Sequence, residues 1–388
     1  MFKNDFFIIP LDHTLTVTAD YQYQTYRILQ KHNNIVAFYH SYMEPVKLLT
    51  RKKRQFVEKG DGSSIHFSPF HFFPFERFQI IYRLNVKSSF LLALFFLFFR
   101  LGHKKRIVMW MFHPRFFWMT GVARLVFGNR LYVIYDCVDY FSLANPDEES
   151  KLRINEMKLL KHADLVVANS SVLANFHKKI RQDIQVVPLG FKLDEMAILP
   201  QKQDAPLVKK KFKTIGFIGA INYRIDFDLL TVLAKNNPHW KFVFIGPIYI
   251  SDWDRKLATS RKITTLFSLS NVVLEKFSKS QKIYQEMADW SAAIIPYDLS
   301  LPLNQYCYPM KLMEYFYLGL PIVSVPIPSL LQYKGLIDLP TTEIAWQKSL
   351  EKVIKNGIET TKKNTMKNIA IQNSWFAKID RIHNLSKE

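Results

Sequence analysis

Short apolar runs alternate with amphipathic segments along the first half of the chain. Continuous apolar runs predict buried strands at 6–10, 35–39, 106–112, 132–135, 163–169 and 184–188. Apolar residues that recur every three or four positions predict helices at 21–31, 148–162 and 170–179. Strands that alternate with helices form βαβ units, so the first half is predicted to be a parallel sheet covered by helices.

The second half repeats this alternation after a segment rich in Lys, Gln, Asp and Pro. Strands are predicted at 214–218, 240–247, 272–274, 292–296 and 322–325, and helices at 226–235, 280–288 and 375–385. A chain of 388 residues also suits two domains better than one core. We therefore predict an α/β protein with two facing Rossmann-like domains, 1–195 and 213–370, joined by a linker at 196–212.

The turns that follow the first strand of each domain differ in their glycine content. Residues 11–20 contain no glycine, so no Rossmann-type phosphate loop is expected there, and His13 is read as an ordinary loop histidine. Gly219, by contrast, directly follows a predicted strand and permits a close approach of backbone to ligand. The acids in Asp226-Phe227-Asp228 open a helix, where they favour the N-terminal dipole rather than a metal.

Polar residues also follow two predicted strands of the first domain. His113 comes after the strand at 106–112, and Asp136 and Asp139 follow the strand at 132–135. Open α/β sheets bind ligands at this carboxyl edge. Acids at such an edge can serve as a base or bind a metal, and they are equally typical of turns and helix caps.

The stretch from Tyr308 to Val325 combines helix, turn and strand signals. Pro309 fits the first turn of a helix, Gly319 ends it, and Ile-Val-Ser-Val then reads as a buried strand. A helix N-terminus suits a phosphate, and Glu314, one turn in, is placed to accept a hydrogen bond from a hydroxyl of the same ligand. The alternative is an amphipathic helix on which Lys311 and Glu314 form a solvated pair.

This stretch contains a sequence pattern that resembles the donor-binding motif of group 1 glycosyltransferases, Pro-x-Lys-x-x-Glu-Tyr-x-x-x-Gly-x-Pro-Ile-Val. These are retaining enzymes with the two-domain B-type fold. Gly-Phe-Ile-Gly, Phe-Val-Phe-Ile-Gly-Pro and Ile-Ile-Pro-Tyr precede the motif in the order that this family shows. The resemblance implies that Glu314 holds the ribose of a nucleotide sugar, and that residues 371–388 cross back to the first domain. The other donor-binding residues that it implies are Lys311, Arg224, Gly219, Asn304, Tyr308, Pro309 and Met310.

The resemblance extends to the first domain and leaves one departure in the second. Tyr-Asp-Cys-x-Asp recurs in bacterial polysaccharide glycosyltransferases, which implies that Asp139 faces the interdomain cleft as a catalytic base, with His113 as the reserve. Tyr306 stands where the family has a first glutamate, eight residues before Glu314. No cofactor and no metal are expected, since cationic side chains and a helix N-terminus can stabilise the leaving diphosphate.

The expected activity is transfer of a sugar from a UDP- or GDP-sugar to a lipid-linked or cell-surface polysaccharide acceptor. Two alternatives remain: a nucleotide-sugar epimerase on the same architecture, and a catalytically silent member that binds a membrane complex. The net charge of +20 favours anionic partners, but no recognised DNA or RNA module accompanies it, so no nucleic-acid partner is expected.

Basic and aromatic residues are concentrated in the first domain. Arg51-Lys52-Lys53-Arg54, the phenylalanine-rich stretch 65–78 and Lys104-Lys105-Arg106 together predict contact with an anionic membrane surface. The apolar run 90–99 has about half of the ~20 residues that a spanning helix needs. With two unpaired cysteines and no signal-peptide pattern, the expected location is cytoplasmic, peripheral at the inner face of the cell membrane.

Overall fold

A computed structural model describes residues 5–11, 21–30, 34–39, 57–59, 64–69, 72–73, 78–101, 106–141, 149–196, 213–250, 258–275 and 280–387. The chain forms two compact units, Met1–Pro188 with Trp375–Glu388, and Leu189–Ser374. Residues 189–195, placed in the first domain by the sequence, lie in the second unit, where Phe191 N–H donates to Asn373 O over 3.2 Å. His13, Arg51–Arg54, Lys104, Lys105 and the linker beyond 196 lie outside the described residues.

The described part of the first unit is built on an eight-stranded sheet. Its strands are β1 (Phe6–Leu11), β2 (Asn34–Tyr39), β3 (Val57–Lys59), β4 (Ser64–Phe67), β5 (Ile107–Met111), β6 (Leu131–Cys137), β7 (Leu165–Ala168) and β8 (Gln185–Val186). They lie in the order β3-β4-β2-β1-β5-β6-β7-β8, and β3 alone among them runs antiparallel. β1 is central, with Phe7 opposite Ile35 on one side and Val108 on the other.

Helices cover this sheet and bury its apolar strands. The described α-helices of the first unit are Tyr21–Gln30, Gln79–Leu101, Phe117–Phe127, Glu149–His162, Ser171–His177 and Trp375–Leu385. Short 3-10 turns occupy Pro114–Phe116 and Gly128–Arg130. Every residue of β1 and β5 is buried, as expected for parallel strands covered on both faces.

The second unit carries a fully parallel sheet of five described strands. These are β9 (Lys213–Ile218), β10 (Trp240–Ile245), β11 (Val272–Glu275), β12 (Ala292–Ile295) and β13 (Ile322–Ser324), in the order β11-β10-β9-β12-β13. The described α-helices are Leu193–Met196, Phe227–Asn236, Thr259–Phe267, Ser280–Met287, Pro302–Tyr306, Lys311–Leu318, Glu343–Asn356 and Thr360–Gln372, and Pro328–Tyr333 is a 3-10 helix. Asp226 caps Phe227–Asn236 by accepting from Leu229 N over 2.9 Å, which is the role that the sequence predicted.

The helix Gln79–Leu101, called the aromatic helix below, is longer than its apolar run suggested. At 23 residues and with a mean hydropathy of 1.6 over 18 residues, it is long and apolar enough to cross a membrane by length and composition. One face, which includes Val86, Phe90 and Leu97, is buried in the first unit. The opposite face exposes apolar side chains, listed from the N-terminal end as Ile80, Leu84, Leu91, Leu92, Phe95, Phe96 and Phe99.

Candidate functional site

The strand order of the second unit reverses between β9 and β12, which are neighbours in its sheet. In open parallel sheets the crevice outside the carboxyl ends of the strands at such a reversal is the usual ligand site. Gly219 ends β9 there, and Tyr297 follows β12. Lys311, Arg224 and Asn304, three of the predicted donor-binding residues, lie around these two positions.

The turn after β9 brings backbone and a lysine together. Gly219 has φ 129°, and a Cβ at this position would lie 3.2 Å from Cε and 3.3 Å from Nζ of Lys311. Gly246, at the end of β10, has φ 146°, and its Cβ would lie 2.1 Å from Gly219 O. Side chains at either position would displace this turn, so the glycines keep it narrow and leave room for the lysine.

Tyr297 binds two cations on its aromatic ring. Lys311 Nζ donates to the Tyr297 hydroxyl over 2.6 Å and lies 4.7 Å from the ring centre. The Arg224 guanidinium lies 5.1 Å from the same ring centre, and its Nε donates to Asn304 Oδ1 over 2.7 Å. Asn304 is fully buried, and its Nδ2 donates to the backbone oxygens of Arg224 and Asp298. The four side chains therefore form a cationic cluster, which suits an anionic ligand.

The helix Lys311–Leu318, called the motif helix below, begins beside this cluster. Its first backbone bonds are donated by Leu312 to Pro309 O and by Met313 to Met310 O, each over 3.1 Å. The amides that precede them belong to the first turn, where a helix offers N–H groups and positive partial charge. Gly319 ends the helix at φ 63°, as the sequence predicted. Phosphate binding at this end is favoured by both the helix and Lys311.

Glu314 lies in the first turn of the motif helix and is half-buried. Burial raises the pKa of its carboxyl to about 7, although Lys192 and Lys311 act in the opposite direction. The Tyr284 hydroxyl hydrogen-bonds to this carboxyl, and burial together with Glu314 raises the pKa of Tyr284. Since Lys311 bonds to Tyr297, the alternative of a solvated pair between Lys311 and Glu314 does not describe this helix.

The segment before the motif helix is mostly packed inward. Tyr308 is buried, and its hydroxyl lies 2.8 Å from that of Tyr333, so only its backbone is placed to approach a ligand. Pro309 is also buried, and Met310 is half-buried at the N-cap position of the motif helix. Tyr306, the residue that departs from the family pattern, ends the short helix Pro302–Tyr306 and is half-buried.

In the first unit His113 follows β5, where the strand order also reverses, between β1 and β5. Its Nδ1 accepts from Arg115 N over 3.1 Å, so in the neutral ring the proton sits on Nε2. Burial, and then the charge of Arg115, lowers the pKa of His113 to about 3. The ring of Phe141 lies 4.3 Å away. The His113 ring is therefore neutral at physiological pH, and its Nε2–H can donate a hydrogen bond.

Asp136 and Asp139 differ in burial and in hydrogen-bond partners. Asp136 is fully buried, bonded to Lys378 Nζ over 2.9 Å and to Trp110 Nε1 over 3.3 Å, so it is a structural residue rather than a base. Asp139 is half-buried, and its Oδ1 accepts from Tyr140 N over 3.0 Å. This bond is typical of a turn residue and leaves the catalytic role of Asp139 a prediction.

Two groups of residues were not singled out from the sequence. Tyr297 belongs to the quoted motif Ile-Ile-Pro-Tyr, which was a usable signal, whereas nothing local marks Tyr284 or Lys192. Cys137, Glu156 and His177 converge in the first unit from β6 and two helices, with ligand atoms within 4.8 Å of one another. Their separation in sequence hides this cluster from any spacing rule.

A cavity of about 750 Å³ adjoins the cationic cluster in the second unit. Tyr297 lines both, and Asp226, Asp228 and Lys262 line the cavity further away. Lys311 and Glu314 do not line it. The cavity is therefore beside the candidate donor site rather than coincident with it.

Comparison with known proteins gives one relative in sequence. No family model matches the chain. TuaH of Bacillus subtilis (strain 168), assigned as a glycosyltransferase of teichuronic acid biosynthesis, is 26% identical over 270 residues, which is 63% of this chain and 64% of TuaH. The match thus spans less than two thirds of that relative. The predicted resemblance to bacterial polysaccharide glycosyltransferases is confirmed.

Solved structures of glycosyltransferases share the whole fold. HepE of Anabaena in complex with UDP superposes with a TM-score of 0.68 at 12% identity, over 99% of this chain and 100% of HepE. Sucrose-phosphate synthase of Thermosynechococcus elongatus gives 0.69 at 13% identity, over 99% and 98% of the two chains. The predicted glycosyltransferase B-type fold is therefore confirmed.

Proposed function

We propose that this protein is a glycosyltransferase that takes a sugar from a UDP-sugar bound in its second unit. The observation that carries the proposal is the cluster of Lys311, Arg224 and the motif helix N-terminus around the Gly219 turn. Two cations and free amides at a sheet's ligand-binding edge fit a diphosphate. TuaH and HepE support the choice, since TuaH is assigned as a glycosyltransferase and HepE has been crystallised with UDP and with UDP-glucose.

Each residue of the donor site has a role in this proposal. Lys311 and Arg224 bind the diphosphate. Gly219, which has no side chain, lets the diphosphate oxygens approach the backbone. Glu314 accepts a hydrogen bond from a ribose hydroxyl, with Tyr284 orienting its carboxyl. As the bond between sugar and diphosphate breaks, negative charge grows on the departing phosphate, and the fixed cations and the helix N-terminus stabilise it. On this scheme the leaving group needs no metal ion.

The acceptor-side residues of the proposal lie in the first unit. Asp139 takes the proton of the acceptor hydroxyl as it attacks, and neutral His113 can donate a hydrogen bond from Nε2. A lipid-linked or cell-surface polysaccharide acceptor fits the resemblance to TuaH.

We also propose that the first unit lies on an anionic membrane at its cytoplasmic face. The aromatic helix exposes an apolar face that is flanked by the exposed cations Arg83, Lys87 and Arg100. Rings at the interface and cations on the headgroups are typical of a helix that lies in the plane of an anionic bilayer. Such a position would bring a lipid-linked acceptor to the enzyme.

A thermal-shift experiment with nucleotides tests the donor site directly. A ligand that binds only the native state raises the melting temperature. At a ligand concentration a hundred times the dissociation constant, the free energy of unfolding increases by about 2.7 kcal/mol. UDP and UDP-glucose should stabilise the wild type and should stabilise Lys311→Met far less. Lys348→Met is the matched control, because Lys348 is exposed on the helix Glu343–Asn356 away from the cluster.

The outcomes of this experiment separate the parts of the proposal. A shift with GDP and none with UDP would show that the donor carries guanine rather than uracil, and the proposed donor site would stand. No shift with any nucleotide, or an equal shift in Lys311→Met, would overturn the donor site. UDP release from UDP-sugars in the presence of lipid-linked oligosaccharides then tests transfer itself.

A further inference from the structure

We propose that Cys137, Glu156 and His177 form a structural zinc site inside the first unit. Cys137 lies at the end of β6, Glu156 on the helix Glu149–His162, and His177 at the end of the helix Ser171–His177. None of the three has a part in the donor site. The site does not depend on the proposed donor site, because all three residues belong to the first unit and the donor-site residues belong to the second.

The distances within this cluster leave room for a shared ion. Cys137 Sγ lies 3.8 Å from His177 Nε2 and 3.9 Å from Glu156 Oε1, and the last two atoms are 3.7 Å apart. An imidazole and a carboxylate that bond directly approach to ~2.7–3.2 Å. A point equidistant from three atoms with these separations is about 2.2 Å from each, within the range of zinc–ligand bonds.

Burial makes the cluster costly unless something compensates its charge. The exposed fractions are 0% for Cys137, 2% for Glu156 and 2% for His177. No Lys or Arg side chain forms an ion pair with Glu156 among the described residues. A divalent cation bound by a thiolate, a carboxylate and a neutral imidazole gives a site with no net charge, which removes this cost.

The donor set favours zinc over magnesium and calcium. Thiolate and imidazole are ligands of zinc and are not used by magnesium or calcium, which prefer oxygen. Four ligand atoms are reached if Glu156 binds through both of its oxygens. The Tyr135 hydroxyl donates to Glu156 Oε1 over 2.8 Å and also hydrogen-bonds to Cys137, so it orients two of the three ligands.

The site would fasten the turn that carries Asp139. Cys137 is two residues before Asp139, and its Sγ is also 3.8 Å from Asp139 O. An ion that joins β6 to two helices would hold this turn at the carboxyl edge of the sheet. No metal was expected from the sequence because cationic side chains and a helix N-terminus can stabilise the leaving diphosphate, and that argument concerns the donor site rather than a structural site in the first unit.

Metal content of the purified full-length chain, with any affinity tag removed, tests the proposal. We expect about one zinc per chain after dialysis, as structural sites hold their metal tightly. Cys137→Ser should lose most of it. Cys307→Ser is the matched control, because Cys307 is the other buried cysteine and its Sγ contacts Asn304 O in the second unit.

Cobalt substitution gives a second, spectroscopic readout. Cobalt bound to a cysteine thiolate produces a charge-transfer band in the near ultraviolet, which we expect here and expect to be absent from His177→Gln. Wild-type protein that holds no zinc, takes up none on dialysis and shows no thiolate band with cobalt would overturn the site. Equal zinc in the wild type and in Cys137→Ser would place the metal elsewhere and also overturn it.

Discussion

At the scale of single residues, Glu314 has the most informative environment in the second unit. Its carboxyl faces Lys192, Lys311, Glu195 and the Tyr284 hydroxyl, and burial raises its pKa to about 7. Since this value lies above the ordinary 4.5, the native protein binds more protons than the unfolded chain between the two values. The contribution of Glu314 to the free energy of unfolding therefore falls as pH rises through that window and is constant above it.

The first prediction is that affinity for UDP-glucose rises with pH from 6 to 8. A carboxylate accepts the ribose hydroxyl better than a carboxylic acid does, and with a pKa of about 7 the ionised fraction grows about tenfold over this range. The phosphodiester groups of UDP-glucose remain ionised throughout. Calorimetry at each pH should show the rise in the wild type and a nearly flat profile in Glu314→Gln. The same slope in both proteins would assign the pH dependence to another group.

The second prediction concerns Asp139 and the acceptor. Asp139→Asn keeps the bond from Tyr140 N but removes the base, so turnover should fall by about 10²-fold or more while the dissociation constant for UDP stays nearly constant. Turnover is followed as UDP released in the presence of acceptor. His113→Gln gives the comparison, since neutral His113 donates a hydrogen bond and takes no proton. If Asp139→Asn loses stability and keeps its rate per folded molecule, Asp139 is a turn residue.

At the scale of secondary-structure elements, a buried ion pair joins the final helix Trp375–Leu385 to β6. Lys378 Nζ and Asp136 Oδ1 are 2.9 Å apart, with side chains exposed by 1% and 0%. Trp110 Nε1 also donates to Asp136. A buried ion pair stabilises the fold by less than its short distance suggests, because both charges must leave water. Removing one partner is costly, because the other charge is then left buried and unpaired.

The third prediction follows from this asymmetry. Lys378→Met should lower the free energy of unfolding by roughly 3–5 kcal/mol, because Asp136 is left charged and buried. Asp136→Asn combined with Lys378→Met should recover part of the loss. Arg381→Met on the same helix is the control, and since Arg381 is exposed its change should stay within ~0.5 kcal/mol. Urea unfolding measures all four proteins, and equal losses in Lys378→Met and the control would show that the ion pair is unimportant.

At the scale of the whole molecule, the charge of +20 and the aromatic helix would both favour the proposed contact with an anionic membrane. A positive field attracts anionic surfaces over roughly a Debye length, which is ~8 Å at physiological ionic strength. In the proposed membrane contact, the exposed apolar face of the aromatic helix would supply the short-range part of the attraction. Neither alone distinguishes a membrane from a soluble anion, but together they fit a bilayer with acidic headgroups.

The fourth prediction is that the protein binds acidic vesicles, and that binding depends on both its positive charge and the apolar face of the aromatic helix. Co-sedimentation with vesicles that contain phosphatidylglycerol should weaken as salt rises, and Ile80→Gln with Phe99→Gln should weaken it further. Leu125→Gln is the matched control, because Leu125 is 88% exposed on another helix of the same unit. Binding that is indifferent to salt, to lipid charge and to the double substitution would contradict a surface contact through this helix.

The sequence by itself determined the parallel sheets and the motif helix. Buried parallel strands are continuous apolar runs, so β5 and β9 were placed within one residue at each end. The helix Trp375–Leu385 was placed at its observed bounds, because its apolar positions recur with the helical period. Lys311, Glu314 and Gly219 were predicted as donor-binding residues from turn chemistry and from the motif that resembles the family, and that role stays a prediction.

Only the tertiary structure decided the contacts that join distant segments. β3 and β4 were missed because a short strand is stabilised by a neighbour far along the chain, here β2. The helix Phe117–Phe127 was missed because its sequence is apolar nearly all round and has little polar face to show a period. The bond between Lys311 and Tyr297 and the convergence of Cys137, Glu156 and His177 depend on where strands end in the folded sheet. Sequence spacing carries no record of such distances, because side-chain packing in three dimensions sets them.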